Sequence, residues 1–199
     1  MEAIETLMTE HRLIERAIGA LLAFADEVRR KERDDKEELS RFVTFLREFA
    51  DGCHHGKEEG ILFTAMVEEG FPREGGPIAV MLMEHDEGRA HIRALGEVAA
   101  QQAPWSAEDR QRLADAAYGY GDLLRAHIHK EDAILYPMAE QRLTPGTQDR
   151  VSGDCAAYDA EKARSGEHEK LQALASELVA RHAPLQAPEV SRLDVDRCC

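Results

Sequence analysis

CHHGKEEGILF (residues 53–63) and AHIHKEDAILY (residues 126–136) are two copies of one pattern, H-x-x-K-E-[ED]-x-I-L-[FY]. In each copy a histidine and a glutamate stand four residues apart: His54 with Glu58, and His127 with Glu131. At ~100° per residue on an α-helix, that spacing puts both side chains on one face, one turn apart. A weaker repeat precedes each copy. MTEHRLIERAIGAL (8–21) is echoed by LMEHDEGRAHIRAL (82–95), which shares the Glu-His pair and the ending. The two offsets are nearly equal, so the first two helices correspond to the next two. The chain reads as two helical hairpins related by a pseudo-twofold.

Working outward, apolar periodicity draws the helices. Ile4, Leu7, His11, Ile14, Ile18, Leu21, Ala25 and Val28 recur at three- and four-residue spacing, until the charged run RRKERDD ends the first helix. Leu39, Phe42, Leu46, Phe49 and Cys53 mark a second, running to about Glu69, where GFPREGGP (70–77) breaks it. The third starts after Pro77, a residue tolerated at the first helical position, and runs to about Gln101. After the loop QQAPW, Ser106 with Asp109 predicts a cap for the fourth. Its stripe passes through Leu113, Ala117, Tyr120, Leu124, His127, Glu131, Leu135 and Met138, and TPG (144–146) ends it. The expected fold is all-α: an antiparallel up-down-up-down four-helix bundle over residues 1–145. Residues 146–199 are expected to be a less regular extension, with a short helix from Glu167 to about Arg181 and a loosely ordered tail.

The net charge of −14, from 39 acids against 25 bases, argues against a nucleic-acid partner, because phosphate binding needs a basic face. No segment approaches the ~18 uninterrupted apolar residues of a membrane span. The opening MEAIETLMTEH lacks a basic-then-apolar signal, so a cytoplasmic location is expected. Cys53, Cys155, Cys198 and Cys199 form no paired CxxC knuckles, which argues against a structural zinc site and for reduced thiols. Nothing in the pattern fixes an oligomeric state.

His11 replaces an aliphatic between Leu7 and Ile14, and His85 lies in line with Met81, Gly88 and Ile92, where Gly88 would leave room beside it. Each of four helices thus offers one inward histidine, and two offer an inward carboxylate. A single histidine on an apolar face is usually an ordinary core residue. Four in matched positions with two glutamates predict a metal site, because buried carboxylates need a partner or a cation. The set His11, His54, Glu58, His85, His127 and Glu131 is richer in histidine than the ferritin-type pattern. A di-iron centre with two carboxylate bridges fits it best, and composition alone leaves zinc and manganese open.

Other residues compete for these roles. On a regular α-helix His55 points nearly opposite the core stripe, so it and Glu59 read as exposed or supporting residues rather than ligands. Glu15, one turn after His11, is a candidate further ligand, a hydrogen-bond acceptor behind a ligand, or a salt-bridge partner for Arg89. Tyr120 reads as core, with a hydroxyl that could face a ligand of the metal. His91 reads as lying off the His85 face, His129 as exposed, and His168 and His182 as surface residues.

With these motifs, EH at 10–11, HHGKEEGILF at 54–63, EHDEGR at 84–89 and HIHKEDAILYP at 127–137, the chain resembles hemerythrin-like proteins of the HHE cation-binding family over about residues 8–140. The resemblance implies a four-helix bundle with two non-haem iron ions, oxo- or hydroxo-bridged. It implies that His54 and His127 are terminal ligands and Glu58 and Glu131 bridges, with His11 and His85 completing the set. The family handles dioxygen, nitric oxide or peroxide, or serves iron homeostasis. Two departures stand out. Oxygen-carrying members have a second histidine one turn after the third-helix ligand, where this chain has Arg89, which argues against reversible oxygen carriage. Members that repair iron centres can carry a Cys-rich N-terminal segment, which this chain does not show. The expected function is binding or reduction of a small oxidant by the metal centre, which would make the protein a peroxide- or nitric-oxide-consuming oxidoreductase if it turns over. The alternatives are an iron store, donor or sensor, and a bundle whose metal is purely structural.

Overall fold

The structure, a computed structural model, describes residues 1–164 and 166–182. These residues are all-helical. They form α1 (Glu2–Arg29), α2 (Lys36–Phe45), α3 (Phe63–Glu68), α4 (Gly76–Ala99), α5 (Ala107–Lys130), α6 (Tyr136–Arg142), α7 (Pro145–Arg164) and α8 (Glu167–Arg181). Three π-helical segments interrupt them: π1 (Leu46–His55), π2 (Glu58–Leu62) and π3 (Glu131–Leu135). The stretches α2–π1–π2–α3 and α5–π3–α6 are otherwise continuous, so each behaves as one long helix with a widened middle.

The helix starts follow the sequence signals. The Asp35 side chain accepts from the Glu38 N–H at 2.9 Å and caps α2. Gly75 and Gly76 take positive φ values of 82° and 74°, a turn that favours glycine, and Pro77 opens α4. Ser106 and Asp109 form a reciprocal capping box on α5. α1 packs on α5, α4 on both α5 and α2, and α8 on α1 and α2.

The apolar interior is divided in two. One cluster gathers Ile14, Phe24, Phe42, Phe49, Cys53, Leu124 and Ile128 among others. The other gathers Leu7, Leu62, Phe63, Met66, Met81, Leu135 and Tyr136. Each of the four main helical stretches passes from one cluster to the other. At the crossing each places a polar residue: His11 lies between Leu7 and Ile14, and His85 between Met81 and Ile92. The inward histidines and glutamates therefore form one buried polar layer with a dry core on either side.

The region after residue 145 is more regular than its sequence suggests. α7 is a 20-residue helix where an irregular stretch was expected; its apolar stripe is thin, with Val151 and Cys155 its buried residues. It packs against α1 and π2. The Tyr158 hydroxyl donates to the Gly52 carbonyl at 2.7 Å. It also lies so close over Gly56 that a Cβ there would meet it at 2.7 Å. α8 forms where the sequence places it, and the expected tail, with Cys198 and Cys199, lies outside the described residues.

His182 corrects its reading as a surface residue. It is 1 % exposed, packed against the Phe24 and Phe42 rings, and bonded through Nε2 to Glu38 Oε1 at 3.0 Å. Glu38, itself buried, also accepts from Arg41 at 2.8 Å. Removing His182 strips a buried carboxylate of one partner and opens space beside two rings. His182→Ala should therefore destabilise the fold by about 1–3 kcal/mol. The exposed control His129→Ala should change stability by less than about 0.5 kcal/mol, both read by denaturant unfolding. Equal stability of the two variants would show that the C-terminal helices contribute nothing at this contact.

Candidate metal centre

Two groups of side chains in the polar layer converge closely enough to share an ion. One is His11, His54, Glu58 and Glu131; the other is His55, Glu58, His85 and His127. All are buried, Glu58 and Glu131 fully. The six residues singled out by the sequence thus come together, joined by His55.

The two glutamates link the groups. Glu58 Oε1 lies 3.6 Å from His54 Nε2, and its Oε2 lies 3.5 Å from His85 Nε2. Glu131 Oε2 lies 3.3 Å from His11 Nε2 and 3.2 Å from His127 Nε2. Each carboxylate therefore stands between a histidine of one group and a histidine of the other.

Every histidine of the layer is held from behind. The Nδ1 atoms bond to carboxylates: His11 to Asp132 at 2.7 Å, His54 to Glu10 at 2.8 Å and His55 to Asp51 at 3.2 Å. His85 bonds to Glu59 at 2.7 Å and His127 to Glu84 at 2.9 Å. A proton on Nδ1 facing a carboxylate leaves the Nε2 lone pair pointing inward, the arrangement that orients imidazole towards a metal. The supporting carboxylates are themselves tied. Lys57 bonds to Glu10 at 2.5 Å and to Asp159 of α7 at 2.8 Å, and Lys130 bonds to Glu84. The repeated motif is thereby explained position by position. The Glu before each first-helix histidine supports the histidine of the following helix. The acid after each ligand-type glutamate supports a histidine on another helix, Glu59 for His85 and Asp132 for His11. The lysine fixes the first of these acids.

The residues present fit a cation. Glu58 Oε2 and both oxygens of Glu131 are sealed from solvent with no aligned hydrogen-bond donor. His85 Nε2 and His127 Nε2 face one another at 3.1 Å, each with its Nδ1 proton already committed to a carboxylate. Two lone pairs at that distance need a positive charge between them. The protonation pattern says the same. Burial and the charge of Glu131 push Glu58 well above the usual carboxylate range. Burial opposes the charge on Glu131, yet His11 and His127 outweigh it and hold that carboxyl well below its usual range. Burial also opposes charge on His11 and His127, but Asp132, Glu131 and Glu84 outweigh it and raise both. Burial and neighbouring imidazoles drive His54 well down and His55 to about 3. The groups whose hold on a proton is raised, Glu58, His11 and His127, are among those that would hold a cation.

His55 is the main correction to the sequence reading. It is 3 % exposed, and its ring stacks on that of His85 with centroids 3.7 Å apart. It lies in π1. In a π-helix the hydrogen bonds run i→i+5, so each residue turns less than the ~100° of an α-helix. Cys53, His54 and His55 are consecutively buried in this segment. His55 joins the group with His85, which holds three imidazoles without a histidine at position 89. Arg89 instead bonds to Asp51 at 2.9 Å and Glu59 at 2.6 Å, the acids behind His55 and His85. His55 and Arg89 hold Asp51 down to about 2 against its burial; His85 and Arg89 do the same for Glu59.

Glu15 stays outside the layer and pairs with Arg12 at 2.7 Å, not with Arg89. Tyr120 is fully buried and its hydroxyl has no hydrogen-bond partner. Its ring fills the space beside Gly88, with Cε2 3.5 Å from where a Cβ would stand, so that room is not open. His129 is exposed, and His91 and His168 lie off the site.

The sequence reading missed Tyr136. Its hydroxyl donates to Glu58 Oε1 at 2.6 Å and lies 3.5 Å from His11 Nε2. Its ring stacks on His11 with centroids 5.6 Å apart. The signal was present as the Phe/Tyr ending of the repeated motif, where one copy has Phe63 and the other Tyr136.

Comparison with known proteins gives two matches. An iron-sulfur cluster repair protein, YtfE, of Salmonella schwarzengrund is 32% identical over 109 residues, covering 51% of this chain and 46% of that protein. The chain thus spans about half the length of that relative. The family described as the hemerythrin HHE cation binding domain matches residues 2–139, which hold all seven residues of the two groups and their supporting acids. With the family match extending over most of the chain, this protein belongs to the hemerythrin HHE cation-binding domain family.

Proposed function

We propose that the chain is a non-haem di-iron protein that binds or reduces a small oxidant: dioxygen, hydrogen peroxide or nitric oxide. His11 and His54 would hold one ion and His55, His85 and His127 the other, with Glu58 and Glu131 bridging. The centre would sit in an up-down-up-down bundle formed by residues 1–145, with 146–199 as an extension. The observation that carries this reading is the position of the two glutamates, each between a histidine of either group. A single ion would not need both carboxylates placed in that way.

An iron pair would supply redox change and a coordination position for a small molecule. The protein's part is positional. Five carboxylates fix the imidazoles, and Glu58 and Glu131 set the spacing of the ions. The two apolar clusters on either side exclude bulk water and restrict the layer to small ligands. The partnerless Tyr120 hydroxyl is a buried donor.

The alternative is a non-catalytic role as an iron store, donor or sensor. One observation favours it: the similar Salmonella protein is named for iron-sulfur cluster repair. Consumption of peroxide or nitric oxide by the iron-loaded protein, absent in Glu58→Ala, supports the oxidant reading. Loaded protein that consumes neither supports the donor or store.

Fully loaded protein should hold about two iron ions per chain, as paired carboxylates imply. One ion at saturation would overturn the di-iron reading. His55→Ala should lose about half the metal, while His129→Ala loses none. Asp51→Asn, which weakens the acid behind His55, should lower affinity about 10–100-fold.

Metal uptake should release protons. Glu58, His11 and His127 have raised affinities for protons and must give them up to bind a cation. Affinity should therefore rise with pH and fall as acid protonates these groups. A weakly buffered titration with ferrous ion that shows no proton release, or affinity independent of pH from 5 to about 8, would contradict this assignment.

A further inference from the structure

The two halves of the metal layer depart from their pseudo-twofold at two places. Where the second copy of the motif has Ile128, the first has His55, and that residue adds a third imidazole to the group of His85 and His127. Where the first copy has Phe63, the second has Tyr136. These two rings occupy equivalent places. Phe63 stacks on His85 with centroids 6.1 Å apart, and Tyr136 stacks on His11 at 5.6 Å with the rings 6° from parallel. The difference is a hydroxyl, and it faces the group that has only two histidines.

That hydroxyl oxygen lies 2.6 Å from Glu58 Oε1 and 3.5 Å from His11 Nε2. Both atoms belong to the group of His11, His54, Glu58 and Glu131. Neighbouring donors on one ion, with bonds of about 2.1 Å, stand about 3–3.4 Å apart. The phenol oxygen lies within a few tenths of an ångström of that spacing from two members of the group, inside it for Glu58 at 2.6 Å and just beyond it for His11 at 3.5 Å. Tyr136 is 0 % exposed, so the place is shut off from bulk water.

We propose that Tyr136 is a phenolate ligand of the ion held by His11, His54, Glu58 and Glu131, the counterpart of His55 on the other ion. This rests on the metal-centre reading above. Coordination makes a bond between the phenol oxygen and the ion and breaks the O–H bond. The proton leaves to solvent, as protons displaced by metal generally do. Each ion then has three terminal side chains and two shared carboxylates, and the two ions differ in donor chemistry. A hard anionic oxygen on one of them favours its ferric state over that of its neighbour, whose terminal side chains are all imidazoles.

The test is visible absorption and resonance Raman spectroscopy of the ferric-loaded full chain, with iron content measured on the same samples. Wild type should show the broad visible charge-transfer band and ring vibrations of an iron-bound tyrosinate. Tyr136→Phe should lose both while still binding iron. Phenylalanine fits this kind of place, as Phe63 shows, and helical circular dichroism checks folding. Tyr120→Phe should keep the band. Wild type that binds two irons without a tyrosinate signature overturns the proposal and leaves the di-iron reading standing. So does a band that survives Tyr136→Phe. Failure to bind iron at all removes both. Because the wild-type spectrum alone can refute ligation, poor folding of the variant does not protect the idea.

Discussion

Two carboxylates buried in an apolar bundle are the constraint on which the rest depends. Glu58 and Glu131 are wholly removed from water. Moving one such charge into a protein interior has an effective penalty of several kcal/mol even after relaxation. The chain meets it by gathering cationic or cation-binding groups around both. His11 and His127 flank Glu131, while Tyr136 donates to Glu58. Oxygens that remain without an aligned donor mark where further positive charge belongs.

The surrounding layer follows from that requirement. An imidazole that turned freely would offer its lone pair only part of the time. Each ring is pinned by an acid on its outer nitrogen, and Lys57 and Lys130 hold two of those acids in turn. Lys57 also reaches Asp159, so α7 is coupled to the support of His54 although it contributes nothing to the layer itself. The C-terminal helices are in this sense part of the site's frame. The His182–Glu38 contact anchors them at the far end of the first core cluster.

Departure from internal symmetry is as informative as the symmetry. A duplicated hairpin would give two equivalent halves, yet π1 brings in His55 at a position whose repeat partner is the apolar Ile128. π-helical turns are seldom kept without local use. Here the widened turn lets two adjacent histidines share one side of a helix. Arg89 then bridges the acids behind His55 and His85, joining two outer supports through one guanidinium. A residue that the sequence pattern marks as a missing histidine is thus a structural link around the centre.

The sequence by itself determined the helical class, the helix starts at Pro77 and Ser106, and the inward register of His11, His54, Glu58, His85, His127 and Glu131. These are local properties: periodicity, capping chemistry and a repeated motif need only neighbouring residues to be read. The tertiary structure decided what depends on other helices. Its own helix's apolar stripe leaves His55 outside, and the packing of the other helices around π1 is what buries it. Nothing in the spacing pairs Asp132 with His11 or Glu59 with His85, because those bonds join residues far apart in the chain. α7 was illegible for a related reason. Its apolar stripe is too thin to signal a helix, and it is held by contacts such as Tyr158 to Gly52 and Asp159 to Lys57, which exist only once the bundle is packed.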